Sequence, residues 1–140
     1  VAGDTMRLDF TGTAPTARGP MNMSRNTTVS SCMVALKHLF PDVPVNGGTF
    51  RPITIEVPPG TVLSAQYPAP CGGYLEPMGR VIDVVFGALA QACPERTPAA
   101  FFGTIGVVAI SGTHPARRNY FVGVFPYPGG YGATRVGDGL

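Results

Sequence analysis

The chain has 140 residues, of which 44% are apolar and only 13% are charged, and its net charge is +2. This composition is typical of a globular domain with a buried core and excludes a disordered chain. The scattered charges form no basic stripe, which argues against a nucleic-acid partner, and no apolar run approaches the length of a membrane span. We therefore expect a single domain over residues 1–140 that contacts neither nucleic acid nor membrane.

The first third of the chain predicts a strand followed by a helix. The segment MRLDF at 6–10 alternates apolar and charged residues, as a half-buried strand does. Turn-forming residues follow, and apolar side chains then recur at helical spacing between about Thr28 and Phe40. Thr27 or Thr28 is expected to cap this helix, and Pro41 to end it.

The rest of the chain predicts one more helix and three more strands. RPITIEV at 51–57 alternates like a strand, whereas GRVIDVVFGALAQACP at 79–94 is apolar nearly all round, which predicts a buried helix. TIGVVAIS at 104–111 and NYFVGVF at 119–125 predict two closing strands joined as a hairpin. The order β-α-β-α-β-β indicates an α+β fold with two main helices and a mixed or antiparallel sheet.

Several common sites are absent from the sequence. The glycine-rich end at 125–140 lacks the lysine of a phosphate-binding loop, since the chain's one lysine is Lys37 inside the first predicted helix. His38 and His114 have no second histidine or carboxylate at ligand spacing, so we expect no metal site in this chain. The three cysteines show no CxxC spacing and are expected to be free thiols.

The most informative polar residues stand at the start of the second long helix. Glu76, Arg80 and Asp83 are four and three residues apart, a spacing that places them on neighbouring turns. Charges that enter an apolar helix must be paired or must face a cavity, because burying them alone is costly. Two interpretations stay open: a charge network that holds the helix start, or the wall of a binding site.

Five segments of the chain, taken in order, carry a family resemblance. They are DFTGTAPTARGPMN (9–22), PVNGGTFRPITIEVPPGTVLSAQYPAP (44–70), RVIDVVFGALAQACPERTPAA (80–100), FFGTIG (101–106) and GGYGATRVGDGL (129–140). Together they resemble the B-type subunits of ATP-dependent hydantoinases and 5-oxoprolinases, a family that includes acetone and acetophenone carboxylase subunits. The resemblance covers essentially the whole chain and implies an internal fragment of a longer subunit.

The resemblance implies a domain of a cytoplasmic, ATP-dependent cyclic amide hydrolase. Its expected partner is an A-type ATPase subunit, and its expected substrate is a small cyclic amide or a ketone. ATP and a divalent metal are expected in the full complex, with no cofactor bound by this fragment. The alternatives are a non-catalytic structural or docking domain of such a complex, or part of a related ketone carboxylase.

The resemblance also guides the choice of site residues. In a family motif with glutamate and arginine four residues apart, Glu76 and Arg80 match. We expect Arg80 to contact an anion, with Glu76 and Asp83 orienting it as the catalytic set, and Asn22 and Arg18 to bind substrate. Because few charged residues are available to cover the apolar surface, we also expect the chain to form an oligomer.

Overall fold

The chain folds into two long helices and two separate two-stranded sheets in the computed structural model, which describes residues 1–127 and 129–139. In chain order the elements are β1 (Met6–Asp9), α1 (Arg25–Leu39), α2 (Gly47–Phe50), β2 (Ile53–Glu56), α3 (Leu75–Leu89), β3 (Gly106–Thr113) and β4 (Tyr120–Tyr127). The predicted α+β class and element order are confirmed, with the short helix α2 as an addition. Pro128 and Leu140, both within the glycine-rich end, lie outside the described residues.

The strands pair in two sheets rather than in one mixed sheet. β1 runs parallel to β2, with Met6 opposite Ile53, and α1 lies in the connection between them. β3 and β4 form an antiparallel hairpin, with Thr113 opposite Tyr120 across a short turn. Parallel neighbours need a long crossover, which here contains α1, whereas sequential antiparallel strands close on each other directly, so only the β3–β4 pair is local in the sequence.

Helix α1 begins one turn earlier than predicted. Its N-cap is Ser24, whose hydroxyl oxygen accepts a hydrogen bond from the Thr27 amide at 3.2 Å. The expected caps Thr27 and Thr28 were wrong, because both lie inside the helix. Thr28 is fully buried and donates its hydroxyl to the carbonyl of Leu63. The helix end is stabilised by Lys37, whose ammonium group donates to carbonyls just beyond the last turn.

Helix α3 begins before the predicted segment, and only one of its faces is buried. Pro77 lies in the first turn of α3, where backbone N–H groups have no partner within the helix. The missing N–H of proline therefore costs no helical hydrogen bond. The prediction of burial nearly all round was wrong, since Val84 is 60% exposed and the opposite face alone packs against α1. Within the described residues, no helix is both long and apolar enough to cross a membrane.

The hydrophobic core lies between the two long helices and the β1–β2 pair. Its buried members lie between residues 23 and 89: Met23, Cys32, Ala35, Leu36, Leu39, Ile55, Val57, Leu63, Val81, Val85, Phe86 and Leu89. All three cysteines are free thiols, and burial raises the pKa of the Cys32 thiol to about 11. Cys32 therefore acts as a small apolar core residue rather than as a nucleophile.

Candidate functional site

A cavity of about 470 Å³ lies between α1, α3, the loop at 98–105 and the glycine-rich segment at 129–139. Its wall is mainly apolar, with Val34, Met78, Ile82, Phe86, Phe101 and Ile105 among its lining residues. The polar side chains that line it are His38, Asp83, Tyr131, Thr134 and Asp138. A mainly apolar cavity of this size with a few polar groups is typical of small-molecule sites, so this is the candidate site.

The glycine-rich segment closes the cavity by folding back onto the loop at 98–105. The amide of Ala99 donates to the carbonyl of Ala133 at 2.8 Å, and the amide of Phe102 donates to the carbonyl of Gly130 at 3.3 Å. At Gly132 an added Cβ would lie 1.9 Å from the carbonyl oxygen of Ala99. Glycine is therefore required there by close approach of two backbones, and the glycines of this segment form a wall rather than a phosphate loop.

Asp83 is the one predicted catalytic residue that lines the cavity. It lies half-buried on α3, and His38 lines the same cavity from α1, where its ring packs on Phe86 with 5.2 Å between ring centroids. In the sequence His38 stands as an isolated residue, and Asp138 carries no predicted role. Across residues 1–127 and 129–139, no group of three or more His, Cys, Asp or Glu side chains is arranged to hold a metal ion.

Glu76 joins the first turn of α3 to the start of β3. Its Oε1 accepts hydrogen bonds from the Thr104 hydroxyl at 2.7 Å and from the Ile105 amide at 3.0 Å. These two donors, with a smaller contribution from the charge of Arg80, hold the pKa of the Glu76 carboxyl below its ordinary value. The predicted charge network is not formed as an ion pair, because no described contact within 4.0 Å joins Arg80 to Glu76 or to Asp83.

Arg80 lies on the exposed side of α3 and covers the turn at Gly103. The backbone of Gly103 has a φ of +90°, and a Cβ added there would lie 3.0 to 3.2 Å from the guanidinium group. Arg80 is not among the residues that line the cavity, although Gly79 before it is. The guanidinium is therefore an accessible positive charge beside the loop that forms one cavity wall.

Asn22 is fully buried, and its amide is occupied by the backbone. Its Oδ1 accepts from the amide of Ala17 at 2.8 Å, while its Nδ2 donates to the carbonyls of Ala17, Gly19 and Pro70 at 2.9 to 3.0 Å. The side chain thus fixes the loop at 17–22 against the segment that leads into α3. It does not line the cavity.

Arg18 lies on the same loop and is exposed. The loop is connected to the α3 side of the molecule, since the amide of Gly73 donates to the carbonyl of Pro20 at 2.8 Å. Arg18 and Asn22 therefore lie near the start of α3 but outside the cavity wall, and of the two only Arg18 is exposed.

Replacing Glu76 by glutamine is expected to weaken the dependence of the free energy of unfolding on pH in the acidic range. Because the folded-state pKa lies below the ordinary value of 4.5, the carboxylate stabilises the fold above that pH, and this contribution is lost as the pH falls through the folded pKa. Glutamine keeps a carbonyl acceptor for the Ile105 amide but does not titrate. Urea denaturation between about pH 6 and about pH 3 measures the difference.

The matched control is Glu95→Gln, a change at an exposed carboxylate on the loop after α3. The control should follow the wild-type dependence of unfolding free energy on pH. If the free energy of unfolding depended on pH in the same way for Glu76→Gln and the wild type, the hydrogen bonds from Thr104 and Ile105 to the carboxylate would not be made in solution.

Comparison with known proteins identifies the family. The family described as hydantoinase B/oxoprolinase matches residues 1–140, the whole chain. The chain belongs to this family. The resemblance drawn from the five sequence segments is thereby confirmed.

Three relatives illustrate the range of this hydantoinase B/oxoprolinase family. An uncharacterized protein of Methanocaldococcus jannaschii is 39% identical over 109 residues, which is 76% of this chain and 19% of that protein. The B subunit of a putative D-/L-hydantoinase from a Pseudomonas species is 33% identical over 148 aligned positions, covering all of this chain and 24% of the relative. The beta subunit of a caprolactamase from Pseudomonas jessenii is 37% identical over 78 residues, covering 54% of this chain and 13% of the relative.

The chain therefore spans about a fifth to a quarter of the length of the first two relatives. Two of these relatives are named as subunits, which supports a subunit partner for members of the hydantoinase B/oxoprolinase family. The roles expected for Arg80, Glu76, Asp83, Asn22 and Arg18 stay predictions, since family membership alone assigns no residue.

Proposed function

We propose that this domain belongs to a B-type subunit of an ATP-dependent cyclic amide hydrolase and that the cavity beside α3 holds the substrate ring. The observation that carries the proposal is the family match over residues 1–140. The names hydantoinase, oxoprolinase and caprolactamase all refer to ring compounds with an internal amide bond. A mainly apolar cavity with a few acceptors suits such a ring, whose edge carries one or two amide groups.

The chemistry assigns separate tasks to the cavity wall and to its polar groups. An unactivated cyclic amide is a poor electrophile, so the reaction needs a leaving group on the carbonyl carbon, and ATP supplies that activation in the complex. In this domain Phe86 and Phe101 would hold the ring and exclude bulk water. Asp83 would accept a proton from the attacking water and pass it to the ring nitrogen as the bond between the carbonyl carbon and that nitrogen breaks. Arg80 would place a positive charge beside the site.

The described residues do not fit a binding site for ATP or for a divalent metal. Lys37 donates to the carbonyls that follow α1, and the described carboxylates, histidines and cysteines form no cluster of three. We therefore propose that an A-type partner subunit, or other parts of the B-type subunit, hold ATP and the metal. No step at this cavity is derived through either group.

A docking domain without catalytic residues is the second candidate. It is favoured by the exposed apolar hairpin β3–β4 and by the exposed Val84 face of α3, which have no covering partner among the described residues. The two functions differ in what they require of Asp83. A catalytic cavity needs its carboxylate, whereas a docking domain does not.

The deciding experiment is steady-state kinetics of the complete complex carrying Asp83→Asn in this domain. We expect kcat to fall by about 100-fold or more, the usual loss for a general acid–base group, with assembly unchanged. The control Asp42→Asn replaces an exposed carboxylate on the loop after α1 and should leave kcat unchanged. If Asp83→Asn left kcat unchanged, the cavity would not take part in catalysis, and the docking function would be the one supported.

Arg80→Ala tests the anion contact in the same assay. We expect kcat/KM to fall with the complex still assembled, because the guanidinium would lose its contact with a developing or bound anion. An unchanged KM and turnover in a folded protein would remove Arg80 from the site.

A further inference from the structure

Gly79 lies inside α3 at the point where the ring of Phe101 meets the helix. A Cβ added at Gly79 would lie 2.8 Å from Cζ of Phe101 and 3.3 and 3.4 Å from its two Cε atoms. The backbone of Gly79 is helical, a conformation that any residue adopts, and glycine is one of the least favourable residues inside a helix. The close approach of the ring is therefore the structural reason for glycine at this position.

The other side of the Phe101 ring is closed by Phe102 and the glycine-rich segment. The two rings lie edge to face, with 6.0 Å between their centroids and an angle of 85° between their planes. The Phe102 ring in turn covers Gly129, and its amide donates to the carbonyl of Gly130. The Phe101 ring is thus held between α3 and the segment, and the space that stays open to it is the cavity that it lines.

Gly79 and Asp83 lie on the same side of α3. Both line the cavity, and their spacing of four residues places them on adjacent turns of the helix. The Phe101 ring therefore lies about one turn from the carboxylate to which the proposed function assigns the proton transfer. Because the ring rests directly on the helix backbone, the space beside Asp83 stays free for a ligand.

The size of the cavity indicates more than a bare ring. Its volume of about 470 Å³ lies in the range of about 300–1,000 Å³ that is usual for drug-sized ligands. A five-membered cyclic amide without substituents would fill only part of that space. Since the wall around the remaining space is mainly apolar, it suits an apolar substituent on the ring.

We propose that Gly79 determines the largest ring substituent that the cavity accepts, because it lets Phe101 lie directly against α3. The inference rests on the proposed function and narrows its substrate class to cyclic amides that carry a bulky apolar substituent. A side chain at position 79 would push the Phe101 ring into the cavity, toward the space beside Asp83. A compact ring would still fit there, whereas a bulky one would not.

The test compares two substrates in the complete complex, unsubstituted hydantoin and 5-benzylhydantoin. In Gly79→Ala, kcat/KM for 5-benzylhydantoin should fall at least about tenfold relative to hydantoin, since one methylene in an apolar pocket changes discrimination by about 10- to 200-fold. The loss should appear in KM, because Asp83 is unchanged. The control Gly87→Ala adds a methyl group to the same helix, where no atom lies within 4 Å of it, and should leave the ratio at the wild-type value.

A double-mutant cycle with Phe101→Leu separates the effect of the ring from a general effect on α3. Leucine lacks the ring end that meets position 79, so adding Gly79→Ala to the Phe101→Leu complex should leave the substrate ratio unchanged. If Gly79→Ala alone fails to assemble, Phe101→Leu should restore assembly for the same reason. A failure to restore it would overturn the proposal.

Three further outcomes would overturn it: an equal fall for both hydantoins in Gly79→Ala, an unchanged ratio, or the same tenfold fall in the Phe101→Leu background. If Asp83→Asn is inactive in those cases, the proposed function stands and only the role of Gly79 fails. A fully active Asp83→Asn complex would instead remove the cavity from catalysis, and the role of Gly79 would fail with it.

Discussion

Replacing Gly132 by alanine is expected to detach the glycine-rich segment from the loop at 98–105 and to open the cavity. The added Cβ would lie 1.9 Å from the carbonyl oxygen of Ala99 and 2.8 Å from its Cα. These are backbone atoms, which cannot rotate away as the end of a flexible side chain can. The neighbouring bond from the Ala99 amide to the Ala133 carbonyl would break with the same displacement.

The effect should be local and large. Overpacking commonly costs about 1–3 kcal/mol, and here the cost can be avoided only by releasing the segment. The amides of Ala99 and Phe102, which bond to the segment, should exchange with solvent at least tenfold faster. In the complete complex the same variant should raise KM for the cyclic amide, because one cavity wall is lost.

Gly87→Ala is the matched control for this change. Gly87 lies inside α3, has no atom within 4 Å of an added Cβ, and should gain up to about 1 kcal/mol of stability from the better helix propensity of alanine. In the Gly87→Ala variant, the amides of Ala99 and Phe102 should exchange with solvent at the wild-type rate. If Gly132→Ala also left both amides protected, the segment would not be seated on the loop in solution.

The long helices and the hairpin were predictable because their signals are local. The spacing of Cys32, Leu36 and their neighbours is that of one helix face, and that face is buried in the structure. The hairpin was placed within about two residues of each observed end. Its consecutive apolar residues also indicate a sheet covered on both faces, and that cover is absent from the described chain.

The helix cap was mispredicted, and of the two interpretations left open for Glu76, Arg80 and Asp83 the ion-paired network is not formed, because distant contacts decided both. Ser24, Thr27 and Thr28 all carry hydroxyl groups, and the contact of Thr28 with Leu63 draws Thr28 into the helix and leaves Ser24 as the cap. Glu76 has the spacing for an ion pair with Arg80, but its carboxylate is taken by donors from the loop before β3.

No local pattern in the sequence predicts the cavity. It depends on the return of the glycine-rich segment to Ala99, a contact that joins two loops far apart in the sequence. Asp83 was predicted as a possible site wall because it interrupts an apolar helix. His38 and Asp138 were not, because each becomes part of the wall only after the segment has folded back.

Replacing Asn22 by alanine is expected to lower the free energy of unfolding by about 2–4 kcal/mol. The side chain is fully buried and supplies partners to the Ala17 amide and to carbonyls of Ala17, Gly19 and Pro70. Alanine can replace none of these bonds, and each buried backbone group that loses its partner costs about 1–3 kcal/mol. Urea denaturation with an unchanged m-value would measure the loss.

Asn26→Ala is the control, because Asn26 is an exposed asparagine on α1 and its loss should change stability by less than about 0.5 kcal/mol. The comparison also separates the two roles open to Asn22. A residue that only binds substrate would raise KM when replaced and leave the unfolding free energy intact. A residue that fixes the loop at 17–22 must lower the stability of the free protein, so a stable Asn22→Ala variant would contradict the structural role and favour the substrate contact.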